Sequence, residues 1–170
     1  LKVQNLKTYF YLTSGTARAV DGVSFTLDKG ETLGIVGESG CGKSVTAKSL
    51  LRLLEKVGRI EPGSKVEFEG RDVLAMDTAE LSAYRGTDVG MIFQDPMTSL
   101  DPVFKVGYQM VENLLAHRDM TRKEAWDISV EALRSVGIPQ PEARMEAYPF
   151  ELSGGMCQRV IIAMALCCNA

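Results

Sequence analysis

The chain has 170 residues, 45% of them apolar and 24% charged, with a formal net charge of −3. This length suits one well-cored domain and is too short to predict two, and no apolar run approaches the roughly 20 residues that span a bilayer. The acidic balance argues against a sequence-independent nucleic-acid binder, which would need clustered Lys and Arg side chains.

The first elements predicted along the chain are β-strands. Residues 2–11 and 17–27 are rich in β-branched and aromatic residues with partial alternation, and a Thr-Ser-Gly turn at 13–15 separates them. This pattern predicts an antiparallel hairpin. Residues 32–36 form a short apolar run flanked by glycines, which predicts a buried strand.

Residues 37–44 read G-x-x-x-x-G-K-S and directly follow that run. In this motif, glycines let backbone N–H groups close around phosphate, the lysine reaches the β and γ phosphates, and the serine ligates Mg²⁺. Residues 43–54 carry apolar residues near helical spacing, as the motif requires. The sequence therefore predicts an ATP and Mg²⁺ site, with Lys43 catalytic and Ser44 a metal ligand. The other nucleotide contacts predicted here are Gly37, Glu38, Ser39, Gly40, Cys41, Gly42 and Val45.

Short elements follow the phosphate loop. Residues 65–68 and 72–74 read as a small β element. Residues 77–80 resemble a capping box that opens a short helix, and Gly86 is predicted to close that helix. Residues 89–94 predict another strand.

The character of the chain changes after Gln94, where a polar loop with two prolines leads into helical stretches. We therefore predict a nucleotide-binding core over residues 1–94 and a helical subdomain over residues 95–170. Helices are predicted near residues 106–117 and 121–136. The second of these begins with a capping box and ends before a glycine.

The last predicted element is a long apolar helix from Ser153 to about Cys168. Its start reads Leu-Ser-Gly-Gly at 152–155, with Gln158 and Arg159 behind it. A serine and two glycines at a helix start place a hydroxyl, N–H groups and the positive end of the helix dipole where an anion could dock. Taken alone, this serine is an ordinary N-cap.

The Leu-Ser-Gly-Gly segment, with the glutamine and arginine behind it, resembles the signature of the ATP-binding-cassette (ABC) ATPases. The resemblance runs over residues 1–170 and implies an α/β fold: a P-loop NTPase core, an N-terminal antiparallel β region and a helical subdomain. In that family, two cassettes pair head to tail, and each signature closes on the nucleotide that the other cassette's phosphate loop holds. The signature residues implied as nucleotide ligands are Ser153, Gly154, Gly155 and Gln158.

The resemblance implies roles for three further residues. Gln94 matches a glutamine that contacts Mg²⁺ and the attacking water, which makes it a metal ligand and a catalytic residue; by itself it would be a polar strand end. Phe10 matches the aromatic residue that stacks on adenine, and Val20 would flank the base. The alternative for Phe10 is a strand aromatic packed in a core.

Residues 34–40 and 91–102 resemble one branch of the family, the ATP-binding subunits of dipeptide, oligopeptide and nickel importers. The branch implies transmembrane permease subunits and a second cassette as partners, a solute-binding protein indirectly, and no nucleic acid. It implies a peripheral position on the cytoplasmic face of the inner membrane. The alternatives are a soluble cassette protein of translation or repair, and a nucleotide-binding fragment that does not hydrolyse ATP.

In this family a strand ending in Asp-Glu and a switch histidine follow the signature helix. Between that helix and Ala170, this sequence contains neither of them. We therefore expect a C-terminally truncated cassette that lacks the catalytic glutamate, has an incomplete core and exposes an apolar edge. A cassette contacts ATP and membrane subunits rather than the cargo. Peptide and nickel therefore both stay open as the transported solute, as do an identical cassette and a paralogue as the partner.

Overall fold

A computed structural model describes residues 1–93 and 99–167 of the chain. The chain forms two compact units, Leu1–Leu81 and Ser82–Ala170. The boundary predicted at Gln94 falls outside the described residues and stays a prediction. Across the part of the chain described, no helix is both long enough and apolar enough to cross a membrane.

An antiparallel sheet of five strands forms the body of the first unit. β1 (Lys2–Leu12) pairs along one edge with β2 (Gly15–Thr26), which confirms the predicted hairpin. The other edge of β1 pairs with β3 (Gly58–Ile60) and with β4 (Lys65–Phe68), and β5 (Arg71–Asp72) pairs with β4. β1 therefore contacts three strands and lies at the centre of the sheet.

One helix of the first unit packs on this sheet. α1 (Lys43–Leu50) begins inside the predicted phosphate loop and contacts β1 and β2. The helix ends earlier than the predicted residue 54. It ends because Arg52 adopts a left-handed φ of 53°, and its guanidinium donates hydrogen bonds to the carbonyls of Val73 (3.3 Å) and Met76 (2.7 Å).

Two predicted strands are not strands in the structure. Residues 32–36 and 89–93 have no strand assignment, so both predictions are wrong for the residues described. The runs are apolar and β-branched, but a strand also needs a neighbour for its backbone hydrogen bonds. In the described part of the chain, no strand pairs with either run. Most of the large apolar side chains in the two runs are exposed, with Val36 95% and Phe93 42% accessible.

The boundary between the units falls within α2 (Thr78–Ala83). Its capping box is present: Asp77 and Glu80 each donate a backbone N–H to the other's carboxylate at 2.9 Å. A π-helical turn (Tyr84–Asp88) follows, so Gly86 does not end the helix as predicted. Gly86 instead packs against the His117 ring, and a larger residue would not fit there, because its Cβ would lie 2.0 Å from His117 Nδ1.

The rest of the second unit is helical. α3 (Val106–His117) and α4 (Arg122–Ser135) confirm the two predicted helices. α5 (Pro141–Met145) and a 3₁₀ turn (Pro149–Glu151) lead into α6 (Gly154–Cys167), the predicted long apolar helix. These helices enclose a common core, whose most buried members include Val106, Met110, Leu114, Leu133, Met145 and Val160.

The start of α4 shows how local chemistry sets a helix boundary. The Glu124 N–H donates to Thr121 Oγ1 (3.2 Å), and the Thr121 N–H donates to the Glu124 carboxylate (2.7 Å). We expect Thr121→Ala to lower the free energy of unfolding by about 1 kcal/mol, because the box is lost. The same capping box should make the free energy of unfolding depend on pH, because the hydrogen bond from the Thr121 backbone holds the pKa of Glu124 below its usual value.

A carboxylate with a lowered folded pKa stabilises the fold above its unfolded pKa, and that contribution is lost as pH falls through the folded pKa. Wild type should therefore exceed Glu124→Gln in unfolding free energy at pH 7. The difference should become smaller at a pH well below the ordinary Glu pKa of about 4.3. Urea unfolding at pH 7 and at such an acidic pH measures this change, with the exposed Glu55→Gln as control. A difference that does not change with pH would contradict the assignment.

Candidate functional site

The phosphate-loop motif forms the turn that leads into α1. Gly42 is the N-cap of the helix at φ 93°, and Gly40 has φ 81°. Glycine adopts this left-handed backbone at little cost, whereas other residues are strained there. The first N–H groups of a helix have no partner within the helix, so the loop and the start of α1 present donors to an anion.

The lysine of the motif is folded back onto its own loop. Lys43 Nζ donates to the carbonyl oxygens of Gly37 (2.8 Å) and Glu38 (2.6 Å) and lies 3.6 Å from Cys41 Sγ. These acceptors are neutral, so anionic phosphate oxygens would be stronger partners for the ammonium group. Ser44 is exposed in the first turn of α1. Its hydroxyl is the kind of hard oxygen ligand that Mg²⁺ takes together with phosphate oxygens and water, so this residue fits the metal.

The loop is placed against the sheet through a β-bulge. The register of β1 with β2 passes over Ala19, which is therefore the extra residue of the bulge. A Cβ at Gly42 would lie 2.2 Å from the Ala19 carbonyl oxygen and 3.7 Å from Val20 Cγ2. Gly42 is thus required both by its φ and by close contact with β2. Val20, predicted to flank the base, is buried beside the loop.

This double requirement can be separated by experiment. We expect Gly42→Ala to lower the free energy of unfolding by about 2 kcal/mol or more, because a left-handed alanine is strained and its Cβ meets the Ala19 carbonyl. Gly40→Ala is the matched control. Gly40 has a similar φ of 81°, but a Cβ there would meet nothing within 4 Å. Urea unfolding of both variants isolates the contact with the bulge, and equal losses would show that this contact is unimportant.

Phe10 lies on the face of the sheet that carries α1. The Thr8 hydroxyl meets that of Ser49 on α1 at 2.8 Å, and strand alternation puts Phe10, two residues later, on the same face. The Phe10 ring is half-buried over β3, since a Cβ at Gly58 would lie 2.9 Å from Phe10 Cε1. The structure therefore places Phe10 on the same side of the sheet as the helix that begins in the phosphate loop.

The neighbouring tyrosines are engaged in polar contacts of their own. Tyr9 donates its hydroxyl proton to Asp21 Oδ1 (2.6 Å), and Tyr11 donates to Glu61 Oε1 (2.8 Å). These hydrogen bonds raise the pKa of both tyrosines above the ordinary value. Alternation places the two rings on the face opposite Phe10. Of these three consecutive aromatic residues, Phe10 is therefore the one that faces α1.

The Leu-Ser-Gly-Gly segment forms the start of α6. The Ser153 Oγ accepts a hydrogen bond from the Met156 N–H (3.3 Å), as predicted for an N-cap. Gly154 and Gly155 are exposed, neither has a positive φ, and a Cβ at either would meet nothing within 4 Å. Glycine weakens a helix relative to alanine. The described residues therefore give no internal reason for either glycine.

The residues behind this segment differ in their exposure and in their contacts. Gln158 is exposed on α6. Arg159 Nη1 donates to the carbonyl of Gly137 at the end of α4 (2.9 Å), which ties two helices together. The Cys157 thiol is buried, contacts the Pro149 carbonyl (3.5 Å), and burial raises its pKa. Gln158 and Arg159 are therefore both accessible, and Arg159 also holds α6 to Gly137, which follows α4.

The predicted site residues fall in both units. The phosphate loop, Phe10 and Val20 lie in the first, and the residues from Ser153 to Gln158 lie in the second. Gln94 lies outside the described residues, so its predicted roles as metal ligand and catalytic residue stay predictions.

Residues that the motifs did not indicate also lie on α1 or against it and the loop. Thr46 and Ser49 are buried hydroxyl residues on α1, and polar residues three apart on the buried face of a helix are a signal that could have identified them. Thr8 is a buried hydroxyl residue on β1. No sequence pattern indicated Ala19, because a bulge depends on how two strands pair.

Known proteins resemble this chain along nearly its full length. The family model described as ABC transporter matches residues 20–170. A probable peptide ABC transporter ATP-binding protein of Sinorhizobium fredii is 50% identical over 169 residues, which are 99% of this chain and 50% of that protein. The dipeptide transport ATP-binding protein DppD of Bacillus subtilis is 48% identical with the same two coverages. The chain thus spans about half the length of the curated relatives it matches.

Solved structures share the fold. A dimeric structure of a post-hydrolysis state of the ATP-binding cassette MJ0796, bound to ADP and Pi, superposes with a TM-score of 0.85 at 25% identity, over 99% of this chain and 69% of that one. The structure of cbiO1 from Clostridium perfringens gives 0.70 at 27% identity, over 99% and 61%. The predicted α/β fold class, with its antiparallel β region and helical part, is confirmed.

Proposed function

Since the chain belongs to the ABC transporter family, we propose that it is part of an importer's ATP-binding subunit, which couples ATP binding and hydrolysis to uptake of peptides or related solutes. The observation that carries this proposal is 50% identity to a probable peptide ABC transporter ATP-binding protein over 169 residues, a span that includes both the phosphate loop and the signature. The partners proposed are transmembrane permease subunits and a second cassette, with a solute-binding protein acting indirectly. The proposed location is the cytoplasmic face of the inner membrane.

The phosphate loop supplies the chemistry at the nucleotide. Lys43 would exchange its two loop carbonyls for oxygens of the β and γ phosphates, and the loop N–H groups would bind the same phosphates. Ser44 and Gln94 are the residues proposed to hold Mg²⁺, which would neutralise charge that develops on the phosphates. Hydrolysis of ATP is an in-line attack of water on the γ phosphate. The protein accelerates that attack mainly by positioning and by electrostatic stabilisation.

The signature is proposed to act on a nucleotide that a second cassette holds. Gly154 and Gly155 support this role, because they are exposed and a Cβ at either would meet nothing within 4 Å in the described part of the chain. A glycine that internal packing does not require suits close approach by an external group. Ser153 and Gln158 would contribute polar side chains to the same contact.

Phe10 is proposed to stack on adenine, with Val20 beside the base. We expect Phe10→Ala to weaken binding of Mg-ATP by about 1–3 kcal/mol, the range that base stacking on aromatic residues contributes elsewhere. Tyr11→Ala is the matched control, because it removes an aromatic ring from the opposite face of the same strand. Fluorescence titration of both variants with a labelled ATP gives the comparison. Unchanged affinity in Phe10→Ala would leave the residue a role in packing only.

The importer itself is tested by uptake. In the source organism, disruption of the gene should abolish uptake of labelled di- and oligopeptides, and expression of the intact gene should restore it. Loss of nickel uptake with normal peptide uptake would move the proposal to the nickel importers. Normal uptake of every solute, together with salt-dependent RNA or DNA binding by the purified protein, would instead favour a soluble cassette protein.

A further inference from the structure

A pair of buried hydroxyl groups joins β1 to α1. Thr8 and Ser49 are both 0% exposed, and their oxygens are 2.8 Å apart. The Ser49 hydroxyl also donates to the carbonyl of Val45, one turn earlier on α1, at 2.7 Å. A serine hydroxyl has one proton, so Thr8 must be the donor in the pair. The hydrogen bonds therefore run in one direction, from the sheet into the backbone of the helix.

The other end of the same helix is the phosphate loop. The carbonyl of Gly42 accepts the N–H (2.8 Å) and the hydroxyl (3.0 Å) of Thr46. The Ala19 carbonyl packs against Gly42 from the sheet side, where its oxygen would lie 2.2 Å from a Cβ added at Gly42. α1 has only 8 residues, and Gly42 and Ser49 are about 10 Å apart along it. A displacement of the helix at Ser49 is therefore transmitted to the loop.

We propose that Thr8 is a positioning residue for the phosphate loop: its hydrogen bond to Ser49 sets where α1 lies along the sheet, and so where Gly42 and Lys43 lie. This inference rests on the proposed function, in which the ligand of the loop is ATP. Apolar packing tolerates small shifts of a helix, whereas a buried hydrogen bond with a defined donor allows a narrow range of geometry. If the loop occupies its binding geometry only part of the time, the apparent affinity falls by that fraction.

The test compares Mg-ATP affinity with thermal stability in the intact protein. Thr8→Val keeps the shape of the side chain and removes the donor. The double variant T8V S49A removes both hydroxyls, so neither is left buried without a partner, and its melting temperature should return close to that of wild type. We expect the Kd for Mg-ATP to rise about three- to tenfold in both variants, the factor that loss of one hydrogen bond produces. The phosphorus NMR shifts of bound ATP should change in both.

Two further variants complete the comparison. Thr8→Ser keeps a hydroxyl donor at this position, unlike Thr8→Val, and should keep wild-type affinity. Thr26→Val makes the same chemical change at an exposed position of β2 and should have no effect. Wild-type Kd and phosphorus shifts in T8V S49A would overturn the inference, because the pair would then serve stability alone, and the proposed function would stand. Failure of the wild-type protein to bind Mg-ATP would overturn both.

Discussion

In the complete protein, replacing Lys43 with alanine is expected to raise the Kd for Mg-ATP at least about a hundredfold and to abolish steady-state hydrolysis. The ammonium group would make charge-assisted hydrogen bonds to two phosphates, and each such bond contributes about 1.5–3 kcal/mol. Loss of about 3 kcal/mol corresponds to roughly a hundredfold in affinity. Calorimetric titration gives the Kd, and phosphate release gives the rate.

The control for this variant lies on the same helix. Lys48 is in the last turn of α1, at the opposite end of the helix from the loop, and Lys48→Ala should bind Mg-ATP like wild type. The unliganded melting temperature of Lys43→Ala must also be measured, because the lysine donates to two loop carbonyls in the structure. Retained binding and turnover in a well-folded Lys43→Ala protein would refute the nucleotide site.

Replacing Gly155 with alanine is expected to change stability and assembly in opposite directions. The helix should gain about 0.5–1 kcal/mol, because alanine is the better helix former and a Cβ at this position would meet nothing within 4 Å. ATP-dependent pairing of two cassettes should weaken roughly ten- to a hundredfold, as expected when an extra methyl group enters a close contact. Urea unfolding measures the first effect. Light scattering with a non-hydrolysable ATP analogue measures the second.

Ser135→Ala is the control for Gly155→Ala. Ser135 is exposed at the end of α4, so the change raises helix propensity without touching the signature. It should leave ATP-dependent pairing at the wild-type level. If Gly155→Ala pairs as well as this control, the signature does not contact the nucleotide of a second cassette.

The parts of this fold that were predictable depend on residues close together in the chain. The hairpin, the helices α3 and α4 and the N-caps at Thr121 and Ser153 all follow from turns, periodicity and caps that act within a few residues. The glycine-rich turn that leads into α1 follows likewise from the loop motif. The signature role came from resemblance, because on physical grounds Ser153 is only a helix cap.

The parts that were not predictable depend on pairing between distant residues. Residues 32–36 have the composition of a strand, but composition does not supply a neighbour to pair with. The bulge at Ala19 exists only in the register of β1 with β2. Thr8 and Ser49 are 41 residues apart, and neither lies in a recognisable motif. The early end of α1 requires the contacts that Arg52 makes with a later segment.

The exposed run at residues 32–36 determines how measurements of assembly must be interpreted. No strand in the described part of the chain pairs with this exposed apolar run. A segment of this composition can pair with the same segment of a second copy, and that association needs no nucleotide. Self-association of this kind increases with protein concentration and is not reversed when ATP is hydrolysed. A dimer found by sizing alone would therefore not be evidence of cassette pairing. The diagnostic property is a dimer that forms on addition of ATP and dissociates after turnover.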